Sequence, residues 1–141
     1  MCNILNGENC KSVCPAVISM TQLRKQCAYW QRALRLQDWE VKLTVSRRSQ
    51  FTMPRCQGVI DWVLPTRQAY ITLLDPRDFP GTPFMHDIEV TLVHELLHLY
   101  VAPFHADEDT LADHAQEQMI DALAQALVRL RKQADGKRAS Q

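Results

Sequence analysis

Residues 87–100 read Asp87-Ile88-Glu89-Val90-Thr91-Leu92-Val93-His94-Glu95-Leu96-Leu97-His98-Leu99-Tyr100. Ile88, Val90, Leu92, Val93, Leu96, Leu97, Leu99 and Tyr100 are apolar on nearly every side of a helical wheel, so the stretch predicts a buried helix with Asp87 as its N-cap. Into that apolar run the sequence sets the pattern H-E-x-x-H. At about 3.6 residues per turn, His94 and His98 fall one above the other on one face. Burying two imidazoles and a carboxylate costs on the order of several kcal/mol unless they find partners. A divalent metal suits both imidazoles, and Glu95 beside them is placed to take a proton from water and pass it to a leaving group. A core of satisfied histidines is the bland alternative, and it supplies no reason for a glutamate at that offset.

On the C-terminal side, Pro103 stops this helix. A further helix is expected to begin near Asp107 or Asp109 and to run through Leu130, with Arg129, Arg131 and Lys132 suiting its C-terminal dipole. Residues 134–141 read as a frayed tail. On the N-terminal side, Asp75 to Met85 holds Pro76, Pro80, Pro83 and Gly81 and must be a series of turns. Ahead of it the period is two. Trp39, Val41, Leu43 and Val45 alternate with Glu40, Lys42, Thr44 and Ser46, which predicts a half-buried strand. Gly58 to Leu64 and Ala69 to Leu74 are two more strand candidates around a Pro65-Thr66-Arg67 turn, and they suggest an antiparallel hairpin. Ser19 and Gln22 form a capping box for a first helix, with Leu23, Cys27, Trp30 and Leu34 at helical spacing and an end near Gln37. Residues 1–18 show no sustained period and are expected to be an arm.

These elements make one α+β domain over residues 19–133: an N-terminal helix, a small, mostly antiparallel three-stranded sheet, the buried helix and a C-terminal helix. A chain of 141 residues, 46% of them hydrophobic, supports one core and not two comfortable ones. Sixteen Lys and Arg balance sixteen Asp and Glu, so no global field makes a case for nucleic acid or an anionic membrane as partner. No run approaches the roughly 18 apolar residues of a spanning helix, and Met1 to Met20 lacks a basic segment followed by an apolar one, so a cytoplasmic location is expected. Cys2, Cys10, Cys14, Cys27 and Cys56 are an odd set without C-x-x-C spacing, which fits reduced thiols rather than a disulfide framework. Oligomeric state leaves no mark that this reading detects.

A metal held for chemistry needs a third protein ligand and an open position. Downstream of the motif, His105, Asp109, His114 and Glu117 are the candidates. Here the chain resembles the gluzincin, or thermolysin-like, zinc metallopeptidases, in which a glutamate on a second helix about twenty residues beyond the motif completes the site. Glu117 lies nineteen residues after His98, and Glu117-Gln118-Met119-Ile120-Asp121 reproduces the family's E-x-x-x-D pairing, whose aspartate steadies a zinc histidine. Residues four apart share a helical face, and a ligating imidazole needs its other N–H held by an acceptor. The wording around the motif, with Pro103-Phe104 behind it, is also similar to small metallopeptidases encoded by phages and prophages. The metzincin pattern fits less well, since Val101 stands at its glycine and Phe104 at its third histidine, with His105 one residue late.

The resemblance implies a minimal zincin-like fold and a Zn2+ ion bound by His94, His98 and Glu117. Asp121 would stand behind one histidine, and Glu95 would be the general base of peptide-bond hydrolysis. His114 is the next choice of ligand. Tyr70, His86, His105 and His114 are candidate donors to a developing oxyanion. A peptide or protein substrate would lie extended along an edge strand, for which Ala69 to Leu74 is the best candidate, a central place in the sheet being the other reading of that strand. The alternative is a catalytically weak zincin-fold module that recognises a protein or nucleic acid partner.

Overall fold

The computed structural model describes residues 18–51, 53, 55–84 and 86–141. Apart from Ile18, the expected arm over 1–18 lies outside these residues. The order of elements is α1 (Met20–Ala33), β1 (Glu40–Ser46), β2 (Gly58–Val63), β3 (Gln68–Leu74), α2 (Ile88–Val101) and α3 (Leu111–Ala139). The architecture is α+β, three helices on a three-stranded sheet.

The capping box of α1 forms as expected. The Ser19 hydroxyl accepts the Gln22 N–H at 3.2 Å, and the Gln22 side chain accepts the Ser19 N–H at 3.1 Å. Leu23, Cys27 and Trp30 carry its buried face. The helix stops at Ala33, short of the expected Gln37, because Arg35 enters the left-handed region at φ 54°. The Gln31 amide then donates to the Leu36 and Trp39 carbonyls at 3.2 and 2.9 Å, folding the chain back toward β1.

β2 and β3 form the expected antiparallel hairpin, with Gly58 opposite Leu73 and Val63 opposite Gln68. β1 joins β3 in parallel, from Glu40 opposite Gln68 to Ser46 opposite Leu74. The strand order is β1-β3-β2, so the sheet is evenly mixed rather than mostly antiparallel, and β3 is central rather than an edge. The physical reason lies in β3 itself. Its Ala69, Ile71, Leu73 and Leu74 are buried, and the strand with the most buried side chains takes the position where both edges are hydrogen-bonded. Ala69, Ile71 and Leu73 face the helices and join their core, while Tyr70 projects from the other face, 46% exposed.

α2 packs against α1, α3, β2 and β3. Its buried Glu89 accepts the Trp30 indole N–H at 2.9 Å and an Arg131 guanidinium N–H at 2.7 Å, which ties the three helices together. The Asp87 cap forms, accepting the Glu89 N–H at 2.9 Å. α3 starts at Leu111 because Thr110, rather than Asp107 or Asp109, supplies the cap, accepting the Asp113 N–H at 3.1 Å. It also continues through the stretch expected to fray, up to Ala139. Arg131 pairs with Asp135 one turn on at 2.7 Å, and Lys137 and Arg138 complement the dipole of the last turn. Among the described residues, no helix is long and apolar enough to cross a membrane.

Candidate metal centre

The apolar surround of α2 fixes the helix in the core and leaves one stripe, carrying His94 and His98, turned toward α3. The two imidazole rings lie one turn apart, edge to face, with centroids 5.1 Å apart and planes inclined by 60°. Across from them, α3 brings Glu117 in with one oxygen for each ring. His94 Nε2 lies 3.2 Å from Glu117 Oε2, and His98 Nε2 lies 3.3 Å from Glu117 Oε1. Among the described residues these three side chains are the one group of His, Cys, Asp and Glu whose ligand atoms all fall within 4.8 Å of one another. In tetrahedral zinc sites with bonds of about 2.0–2.1 Å, neighbouring ligand atoms stand about 3.3 Å apart. Each separation is of that order, although the two rings face different oxygens of the carboxylate, and two imidazoles with a carboxylate are a donor set that zinc accepts.

The surroundings favour the protonation states that such a site needs. Burial holds the His98 imidazole below its ordinary range, against the raising influence of Glu117, and a ligating imidazole must be neutral. Behind His94, the Asp121 carboxylate stands 3.8 Å from Nδ1 while also accepting the Gln125 amide at 2.7 Å. Of the two histidines it is therefore His94 that Asp121 approaches, slightly beyond hydrogen-bond length.

Glu95 is 5% exposed and has no hydrogen-bond or ion-pair partner among the described residues. Burial, and then the neighbouring charge of Glu117, push its carboxyl up to about 8. Its place is made by Gly58, the first residue of β2. A Cβ there would come within 2.7 Å of the Thr91 methyl and 3.0 Å of the Glu95 carboxyl carbon. In the sequence Gly58 marks the start of a strand, and an isolated glycine in that position is also a signal of close approach by another group.

The three side chains and Glu95 open into a cleft of about 850 Å3, walled by residues 57–62, by α2, and by the α2–α3 link with the front of α3. β2 is the sheet edge on this cleft. The wall contributed by the link and α3 is acidic, with Glu108, Asp109 and Asp113 as well as Glu117 and Asp121. A neutral chain thus gathers negative charge at one opening.

Of the other residues singled out in the sequence, His105 reaches the cleft and meets the Trp62 ring edge-on at 5.2 Å. His114 does not. It is exposed and off the cleft, because one residue along a helix is about 100° of rotation from Asp113, which takes the cleft position instead. Tyr70, on the open face of the central strand, is likewise not part of the cleft. His86 is held elsewhere by Gln57 and Thr82, at 2.5 and 3.1 Å. No protein-family profile, curated protein or solved structure matches this chain.

Proposed function

We propose that the chain is a zinc-dependent metallopeptidase, with His94, His98 and Glu117 as the ligands, Asp121 supporting His94, and Glu95 as general base. The observation that carries this reading is the convergence of His94, His98 and Glu117, whose ligand atoms lie within 4.8 Å of one another, beside a buried carboxylate with no partner among the described residues. A bound Zn2+ would supply a Lewis acid for the carbonyl and water of lowered pKa. The work of the chain's own residues is to bind, orient and move protons. Glu95 takes a proton from water and delivers it to the leaving amine, a task suited to a carboxylate that lines the cleft beside His94 and His98. Of the candidate oxyanion donors, His105 is the one that lines the cleft, and that supports it for the role. The outer edge of β2, rather than β3, offers backbone groups along which an extended peptide can pair. The acidic wall of Glu108, Asp109 and Asp113 favours cationic peptides over acidic ones.

The test is elemental analysis of the purified chain, handled without chelator, beside His98→Ala and Glu117→Ala. Close to one zinc ion per chain is expected in the parent, with binding lost or weakened by about 10-fold or more in both variants. A parent that neither carries zinc nor takes it up would overturn the proposal.

A further inference from the structure

The face of α3 that turns away from the core is apolar along most of its length. Leu111, Met119, Leu123 and Leu130 are 86%, 47%, 45% and 62% exposed. Ala112, Ala115, Ala122 and Ala126 fall between them and are exposed as well. From Ala112 to Leu130 these positions recur at the three- and four-residue steps of one helical face, with no Lys, Arg, Asp or Glu at any of them. The opposite face of the helix carries Ile120, Ala124 and Val128 into the core. α3 thus has two apolar faces and, among the described residues, a use for one.

Charge along the same helix says what fits the second. Residues 107–121 hold Asp107, Glu108, Asp109, Asp113, Glu117 and Asp121 and no Lys or Arg, while residues 129–138 hold Arg129, Arg131, Lys132, Lys137 and Arg138 against Asp135 alone. Arg131 and Lys132 are occupied with Glu89, Asp135 and Asp87. Arg129, Lys137 and Arg138 form no ion pair among the described residues.

We infer that the chain forms a two-fold symmetric homodimer in which α3 packs antiparallel on α3 of a second copy through the Ala112–Leu130 stripe. An axis at Ala122–Leu123 sets Met119, Leu123 and Leu130 of each copy against the alanines of the other. It brings Lys137 and Arg138 of one copy alongside Asp107, Glu108 and Asp109 of its partner. A parallel pair would set like charges together, so the charge order selects the antiparallel one. The acidic front of α3 carries Glu117 on its other side, so the His94–His98–Glu117 group faces away from the dimer seam, while Lys137 and Arg138 of the second copy reach the rim where Glu108 and Asp109 border the cleft.

Sedimentation equilibrium on the full-length chain tests this independently of any activity. At about 100 μM, above a dissociation constant in the micromolar range, the parent is expected at twice its 16.2 kDa mass. Leu123→Glu combined with Leu130→Glu is expected to return it to the monomer mass with its circular dichroism and zinc content unchanged. Lys137→Glu with Arg138→Glu should weaken association by about 10-fold at low salt, and adding Asp107→Lys with Glu108→Lys should restore it. A monomeric parent at this concentration overturns the inference, including the case in which Leu123→Glu then unfolds the chain because its own N-terminal residues cover the stripe. So does a dimer that the Leu123 and Leu130 substitutions leave intact.

Discussion

Glu89 and Glu95 stand on the same helix, 3% and 5% exposed, and their surroundings treat them in opposite ways. Glu89 is met by the Trp30 indole and the Arg131 guanidinium. Glu95 is met by the absence of a side chain at Gly58 and by another carboxylate, and it opens onto the cleft. A buried charge is tolerated where donors surround it, and Glu89 is an anchor of that kind. Where donors are missing, the carboxylate is held in a less stable state than water would give it, and such sites concentrate where proton chemistry is done.

The contrast is broken first by exchanging the carboxylate for an amide at Glu95. Glu95→Gln is expected to lower peptide hydrolysis by about 10³-fold with zinc retained, read by single-turnover cleavage beside elemental analysis. An unchanged rate would remove Glu95 from the chemistry. Truncating the anchor should instead act on stability. Glu89→Ala removes the shared acceptor of the Trp30 indole N–H and the Arg131 guanidinium, leaving Arg131 only its exposed partner Asp135, and is expected to cost about 3 kcal/mol in urea unfolding.

Ionisation sharpens the comparison further. In the metal-free protein the folded Glu95 carboxyl, near 8, lies above its ordinary 4.5. Protonated Glu95 therefore contributes stability that is complete below about pH 4.5 and is lost as pH rises toward 8. The unfolding free energy of chelator-treated protein, from urea titrations, should fall across that window by on the order of a few kcal/mol, and in Glu95→Gln this component of the fall should be missing. The smallest effect is expected at Gly58→Ala, where the new methyl crowds the Glu95 carboxyl. A destabilisation of about 1–3 kcal/mol is expected, and a variant as stable and active as the parent would show that the contact relaxes freely.

Much of this arrangement was legible because it is local. The buried helix, its Asp87 cap and the placing of His94 and His98 one turn apart follow from periodicity over a dozen residues. Glu117 and Asp121 were legible by helical spacing once the family resemblance pointed to them. The rest depends on partners far apart in the chain. Nothing within Ala69 to Leu74 says that both of its edges are taken, so the open edge on the cleft was assigned to β3 when it belongs to β2. Gly58 looks like an ordinary strand start until Glu95 is brought above it. His114 is a second candidate ligand by distance along the chain, but Asp113 takes the cleft position and adjacent helical residues diverge too far to share it. The end of α1 was misjudged because Gln31, a side chain within the helix, organises the turn after it.

The mixed sheet also constrains the order in which the chain assembles. β2 and β3 are joined by a short turn at Leu64–Thr66 with Arg67 left-handed, so their pairing closes a small loop. The parallel partner of β3 is β1, and that pairing must enclose all of residues 47–67. Loop-closure entropy makes the hairpin the earlier event and the docking of β1 the later one. β1 is then the strand held by the more costly closure, and its amides should open to hydrogen exchange before those shared by β2 and β3. The cleft wall would consequently be assembled early and released late, while the far edge of the sheet breathes.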